Sequence, residues 1–258
     1  MKRYWGCRVP KRADERAARR AEIAQYGRKF VLSQTAVTLC EAASAGQEAF
    51  LLEVFRAEMA QREANRRRRL LGRAGFPAYK TFAGFERSAV KLPTTLAWSD
   101  VETGTFLVDH RNLVLYGPVG TGKSHCALAI GYAACERGLD VRWFTVTDLI
   151  MRLSAAKRAG TADRLLRDLQ RADLILLDEW GYVPVDHEGA QLLFRVIADS
   201  YEARSLVITT NLEFSKWGSV FTDEQMTAAI IDRLAHHGHL LIFEGESYRM
   251  KNALMRQR

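Results

Sequence analysis

Eight consecutive residues constrain this chain more than any other feature. Gly117-Pro118-Val119-Gly120-Thr121-Gly122-Lys123-Ser124 fits G-x-x-x-x-G-K-[ST] at every fixed position. The pattern has physical meaning only between a strand and a helix, and the sequence predicts both. The apolar run Asn112–Tyr116 precedes it and a helical run, Lys123–Arg137, follows. Glycines let the backbone curl so that successive N–H groups point inward and form an anion nest. The helix behind the loop adds the positive end of its dipole. Lys123 is placed to reach the β- and γ-phosphates of ATP, and Ser124 to offer its hydroxyl to Mg²⁺. Gly117, Pro118, Val119, Gly120, Thr121, Gly122, Lys123 and Ser124, with His125 beside them, form the expected nucleotide-binding set.

From Arg111 onward, short β-rich runs alternate with helical ones. Strands are predicted at Asn112–Tyr116, Val141–Thr145, Leu174–Asp178, Leu206–Thr210 and His239–Phe243. Helices are predicted at about Lys123–Arg137, Thr147–Ala159, Thr161–Gln170, Glu188–Glu202 and Asp223–His236. Such alternation means an α/β fold, a parallel sheet with helices on both faces. The run Leu174-Ile175-Leu176-Leu177 ends in Asp178-Glu179, and such a buried strand delivers its last residues to the sheet edge where ligands bind. Asp178 is placed to hold Mg²⁺, directly or through water, and Glu179 to polarise the attacking water as a general base. The run Leu206–Thr210 leads to Asn211, whose amide would stand beside the γ-phosphate if that strand neighbours the first. Arg233 falls late in the last predicted helix. There it could reach a neighbouring subunit's γ-phosphate as an arginine finger; on spacing alone it reads equally well as an exposed helix residue.

The net charge of +8 is local. The first 75 residues hold 17 Lys+Arg against 8 Asp+Glu, and the remainder 21 against 22. A basic module therefore precedes a neutral one, and polyanions are its natural partner. Residues 1–20 read as a basic, mobile arm, residues 21–75 as a helical DNA-binding domain, residues 76–110 as a connector and residues 111–258 as the ATPase domain. Ala45-Gly46 divides the helical region in two. Ser44 and Gln47 have capping-box spacing, and Phe50, Leu51, Val54, Phe55 and Met59 form an apolar stripe on the second helix. Arg62, Arg66, Arg67, Arg68, Arg69 and Arg73 follow on that helix as candidate contacts to duplex DNA; Gly75-Phe76-Pro77 ends it.

The succession of the phosphate loop, LILLDEW, LVITTN and IIDRL resembles the AAA+ ATPases. More narrowly, Asp178-Glu179-Trp180-Gly181-Tyr182-Val183-Pro184, Ile231-Asp232-Arg233-Leu234 and Glu246-Ser247-Tyr248-Arg249 resemble the IstB-like transposition helper ATPases, relatives of the DnaC-like helicase loaders. The connector residues Phe76-Pro77, Lys80-Thr81-Phe82 and Phe85 are similar to that family's interdomain link. The resemblance implies a small helical DNA-binding domain ahead of an AAA+ domain without a separate helical lid. It also implies an ATP-dependent homo-oligomer on duplex DNA, ATP sites between subunits, and a partner transposase of an insertion sequence. Arg233 would be the arginine finger, Arg249 a second sensor of the nucleotide, and Phe82 and Phe85 would flank the adenine or simply be buried. The rival reading from this resemblance is a helicase loader acting in phage or cellular replication.

Other signals carry less. Cys7, Cys40, Cys126 and Cys135 make no C-x-x-C pair, which fits a reducing cytoplasm. Cys126 and Cys135 read as small core residues. His236, His237 and His239 lack further ligands at metal spacing, so no zinc site is read from them. Trp143 is expected near its strand, and Trp217 could touch DNA or a neighbouring subunit. No apolar run approaches membrane-spanning length, and the start of the chain lacks the apolar stretch of a secretory signal.

Overall fold

The computed structural model describes residues 12–182, 185–221 and 223–251. Cys7, residues 1–11 of the expected arm, and Val183-Pro184 lie outside the described residues. The chain forms two compact units that divide between Arg66 and Arg67.

The first unit holds α1 (Arg12–Phe30), α2 (Gln34–Glu41) and the first part of α3 (Ala45–Ala74). Helix therefore begins at Arg12, inside the stretch expected to be a mobile arm. Charge rather than apolar burial explains this. Asp14 and Glu15 sit in the first turn of α1 and Arg28 and Lys29 in the last, as the helix dipole favours. Arg16 and Arg20 both reach the enclosed carboxylate of Glu48, at 3.0 and 2.7 Å. The helical region also breaks a second time, at Val31, which takes a left-handed φ of 54°; Ser33 then caps α2 by accepting from the Ala36 N–H. The break expected at Ala45-Gly46 falls just before it, at residues 42–44, so that Ala45 and Gly46 open α3, and the Gln47 side chain accepts from the Ser44 N–H at 2.8 Å. The apolar stripe of α3 is only partly a core. Phe50 is 65% and Val54 42% exposed, whereas Leu52, between them but off the stripe, is buried. Phe55 packs its ring against Tyr26 and Phe30. Gly75, at φ 75°, ends the helix.

The second unit takes in the last turns of α3, β1 (Val90–Lys91), α4 (Trp98–Thr103), β2 (Asn112–Tyr116), α5 (Lys123–Glu136), β3 (Val141–Thr145), α6 (Val146–Arg158), α7 (Ala162–Gln170), β4 (Leu174–Trp180), α8 (His187–Ser200), β5 (Ser205–Thr210), α9 (Gly218–Phe221), α10 (Glu224–His236), β6 (Gly238–Phe243) and α11 (Tyr248–Lys251). The sheet order is β1-β6-β2-β5-β4-β3. Strands β2 to β6 run parallel to their neighbours, and β1 pairs antiparallel with β6 at the edge. Successive strand residues point to opposite faces. Leu113, Leu115, Leu174 and Leu176 accordingly join one apolar core with Leu70, Ala74, Cys126 and Cys135, and Val114, Ile175 and Leu177 join the other. Trp143 is half-buried against the first of these cores.

Trp217 is a correction. It is wholly buried against Trp180 and Phe214, at ring separations of 4.9 Å, and its indole N–H donates to the Leu212 carbonyl at 3.2 Å. An indole whose N–H is satisfied indoors has no surface left for DNA or a neighbouring subunit. Among the described residues, no helix is long and apolar enough to cross a membrane.

Candidate active site

The site assembles at the C-terminal ends of three adjacent strands. Strand β2 lies between β5 and β6, so the loop that follows it is gripped from both sides. The Gly117 N–H donates to the Thr210 carbonyl at the end of β5. A Cβ on Gly117 would strike the Phe243 carbonyl at the end of β6, and one on Gly120 would strike the Ser247 side chain. Both positions also have positive φ, at 153° and 83°, a region open to glycine but not to larger residues. The chain after β6 closes over the loop, with the Tyr248 N–H donating to Gly120 O at 3.0 Å.

Lys123 opens α5 and is buried. Its ammonium donates to the carbonyls of Gly117 and Pro118, at 2.7 and 2.6 Å. Burial lowers its pKa to about 8, against the opposing pull of Asp178, and the nearby positive charge of Arg249 lowers it further. Ser124 donates to Asp178 Oδ1 at 2.8 Å, which brings the two expected metal ligands together. Asp178 is 7% exposed, while Glu179, the next residue of β4, is exposed.

The pairing of β4 with β5 shifts at these acids. Leu177 faces Ile208, but the next pair is Trp180 with Thr210. Glu179 takes a left-handed φ of 61°. Asn211 follows β5 directly, and β5 does lie beside β2. Its Oδ1 is buried with no hydrogen-bond partner among the described residues, which suits an amide waiting for a ligand or water. His125 is held differently from its loop neighbours: a ring nitrogen lies 2.8 Å from Thr81 O. Its ring also packs against Phe85, 5.5 Å between centroids. Phe85 further contacts Phe82, Trp98 and Phe243 and would lie 3.4 Å from a Cβ at Gly122.

Two site residues escape sequence reasoning. Thr209 bonds both acids: its hydroxyl donates to Asp178 Oδ1 and accepts the Glu179 N–H at 3.1 Å. Tyr182 follows the acids; burial raises its hydroxyl pKa, and the charges of Glu179 and Asp178 raise it further. No spacing rule marks a threonine inside a strand, whereas Tyr182 lies in the Asp178-Glu179-Trp180-Gly181-Tyr182 stretch that resembles the family.

Arg233 is not brought to the phosphate loop of its own chain. Its guanidinium donates to Ala229 O at 2.9 Å and lies 5.2 Å from the Phe194 ring centre. Nearby, His237 bonds Glu202 at 2.9 Å, and His236 bonds the Tyr201 hydroxyl at 3.0 Å. Glu202 thus stands with the two histidines as a third possible ligand that spacing did not reveal. The basic stripe of α3 is partly neutralised. Arg62 pairs with Glu58, Arg67 with Glu136, and Arg73 with both Asp140 and Asp168. Arg66, Arg68 and Arg69 are exposed.

A sheet of this order, with a phosphate loop after its central strand and acids ending the strand two places away, defines an AAA+ P-loop ATPase. The chain belongs to the IstB-like ATP-binding protein family, whose profile matches residues 31–255. It is 37% identical over 210 residues to an insertion-sequence ATP-binding protein of Sinorhizobium fredii, covering 81% of this chain and 70% of that one. It is 31% identical over 208 residues to one from Geobacillus stearothermophilus, covering 81% and 83%. The fold is similar to AMPPCP-bound DnaA from Aquifex aeolicus, with TM-score 0.54, 21% identity, and 68% of this chain and 53% of that chain covered. That last likeness concerns the fold alone.

Proposed function

We propose that this ATPase serves an insertion sequence: it binds ATP with Mg²⁺, assembles on duplex DNA and regulates or recruits a partner transposase. One observation carries the nucleotide part, the convergence of Lys123, Ser124 and Asp178 on one loop mouth. The relatives' names support the insertion-sequence setting.

The donor set fits magnesium. Ser124 Oγ and the Asp178 carboxylate are hard oxygen ligands already 2.8 Å apart, the chemistry that Mg²⁺ prefers. When bound, the ion would neutralise phosphate charge. The loop N–H groups and Lys123 bind the phosphates and hold them in line. Glu179, exposed at the mouth, accepts a proton from the attacking water, and Asn211 orients that water without taking its proton. Arg249 adds positive charge beside Lys123. Arg233 acts on the site of the next protomer, which accounts for its distance from its own loop. Phe85, packed against His125 and the loop, flanks the base.

ATP turnover with and without duplex DNA tests this reading. Wild type should turn over ATP, and Lys123→Ala and Glu179→Gln should each lose at least ~100-fold, the scale of a lost general base. Unchanged turnover in both variants rejects the site.

A further inference from the structure

Strand β2 fixes the phosphate loop, but the two acids sit on β4, and the residue that holds them belongs to the strand between. Thr209 is buried, 2% exposed. Its hydroxyl has one hydrogen, and a backbone N–H can only donate, so the direction of both bonds is settled. The Glu179 N–H donates to Thr209 Oγ1 at 3.1 Å, and Thr209 gives its own hydrogen to Asp178 Oδ1. Ser124 donates to that same oxygen. Among the described residues, no hydrogen bond reaches Asp178 Oδ2. Both hydroxyls thus engage one carboxylate oxygen and leave the other without a hydrogen bond among the described residues.

The tie falls at the slip in pairing between Leu177 and Trp180. There the Glu179 amide has left the regular ladder, and its φ is one that a residue with a Cβ avoids. An amide removed from its ladder needs another acceptor, and Thr209 supplies it. We propose that Thr209 is a positioning residue for ATP hydrolysis, one hydroxyl that sets the rotamer of Asp178 and the backbone of Glu179 together. This rests on the reading of Asp178 and Glu179 as the acids of the ATP site. The threonine acts through the two acids, so its loss should slow turnover and spare binding.

The test compares full-length wild type with Thr209→Val, Thr209→Ala, Thr209→Ser and Lys123→Ala. Steady-state turnover and the affinity for a fluorescent ATP analogue are measured for each. Thr209→Val should lose at least tenfold in kcat with affinity within threefold, and Thr209→Ser should keep both within threefold of wild type. Thr209→Ala gives the same reading should the valine variant not fold. Turnover within threefold of wild type in the valine or alanine variant overturns the proposal. An equal loss in Thr209→Ser overturns it too, since the fault would then lie with the lost methyl. Failure of the underlying site reading is distinct: Lys123→Ala would then bind and hydrolyse like wild type.

Discussion

Lys123 is the residue whose environment makes the sharpest forecast. Burial holds its pKa at about 8, well below its ordinary value, while a bound triphosphate favours the charged form and raises it. Binding therefore takes up a proton above pH 8, and affinity must fall as pH rises through that value. Titration of ATP between pH 7 and 9.5 should show affinity dropping by up to about tenfold per pH unit above 8, and Lys123→Ala should flatten the dependence. Trp217 makes the opposite kind of forecast. Its substitution by alanine empties a site walled by Trp180 and Phe214. That should cost about 3–5 kcal/mol of stability in a denaturant titration, with duplex binding by the folded fraction unchanged. At this scale the sequence displayed the phosphate loop, Asp178, Glu179 and Asn211, because each belongs to a pattern along one segment. It did not display Thr209, whose partners are on another strand, nor the burial of Trp217, whose loop position looked exposed.

Helix α3 carries its arginines in two kinds of surroundings. Six arginines looked equivalent in the sequence. In the fold Arg73 bridges Asp140 and Asp168 within the ATPase unit, whereas Arg68 and Arg69 have no partner among the described residues. Joint replacement of Arg68 and Arg69 by alanine should weaken duplex binding and reduce the steepness of its salt dependence by about two phosphate contacts' worth. Arg73→Ala should instead lower the melting temperature of the ATPase unit. The buried strands β2 to β5 were legible to within a residue or two, since continuous apolar runs between turns leave little choice. Other elements were not, β1 and the start of α1 among them. Strand β1 is two residues long and exists only through its pairing with β6. The start of α1 is held by ion pairs to Glu48, a residue far along the chain.

For the whole molecule, the place to cut follows from where the units divide. Leu70 and Ala74 are buried in the core beneath α5, so the last turns of α3 belong with the nucleotide site. A fragment starting at residue 67 should fold and bind ATP with full affinity, and one starting at residue 76 should melt lower. Duplex binding by the first fragment measures how much of it the helical unit supplies. Assembly can be tested by mixing. If Arg233 completes the neighbour's site, combining Arg233→Ala with Glu179→Gln, each inactive alone, should restore about a quarter of wild-type turnover at equal proportions; a mixture that stays inactive places Arg233 elsewhere.

The left-handed backbone at Glu179 sets folding and chemistry against each other within a single peptide unit. Glycine would sit there more comfortably, so a library screened only for heat resistance should drift toward it and collect robust, inert proteins.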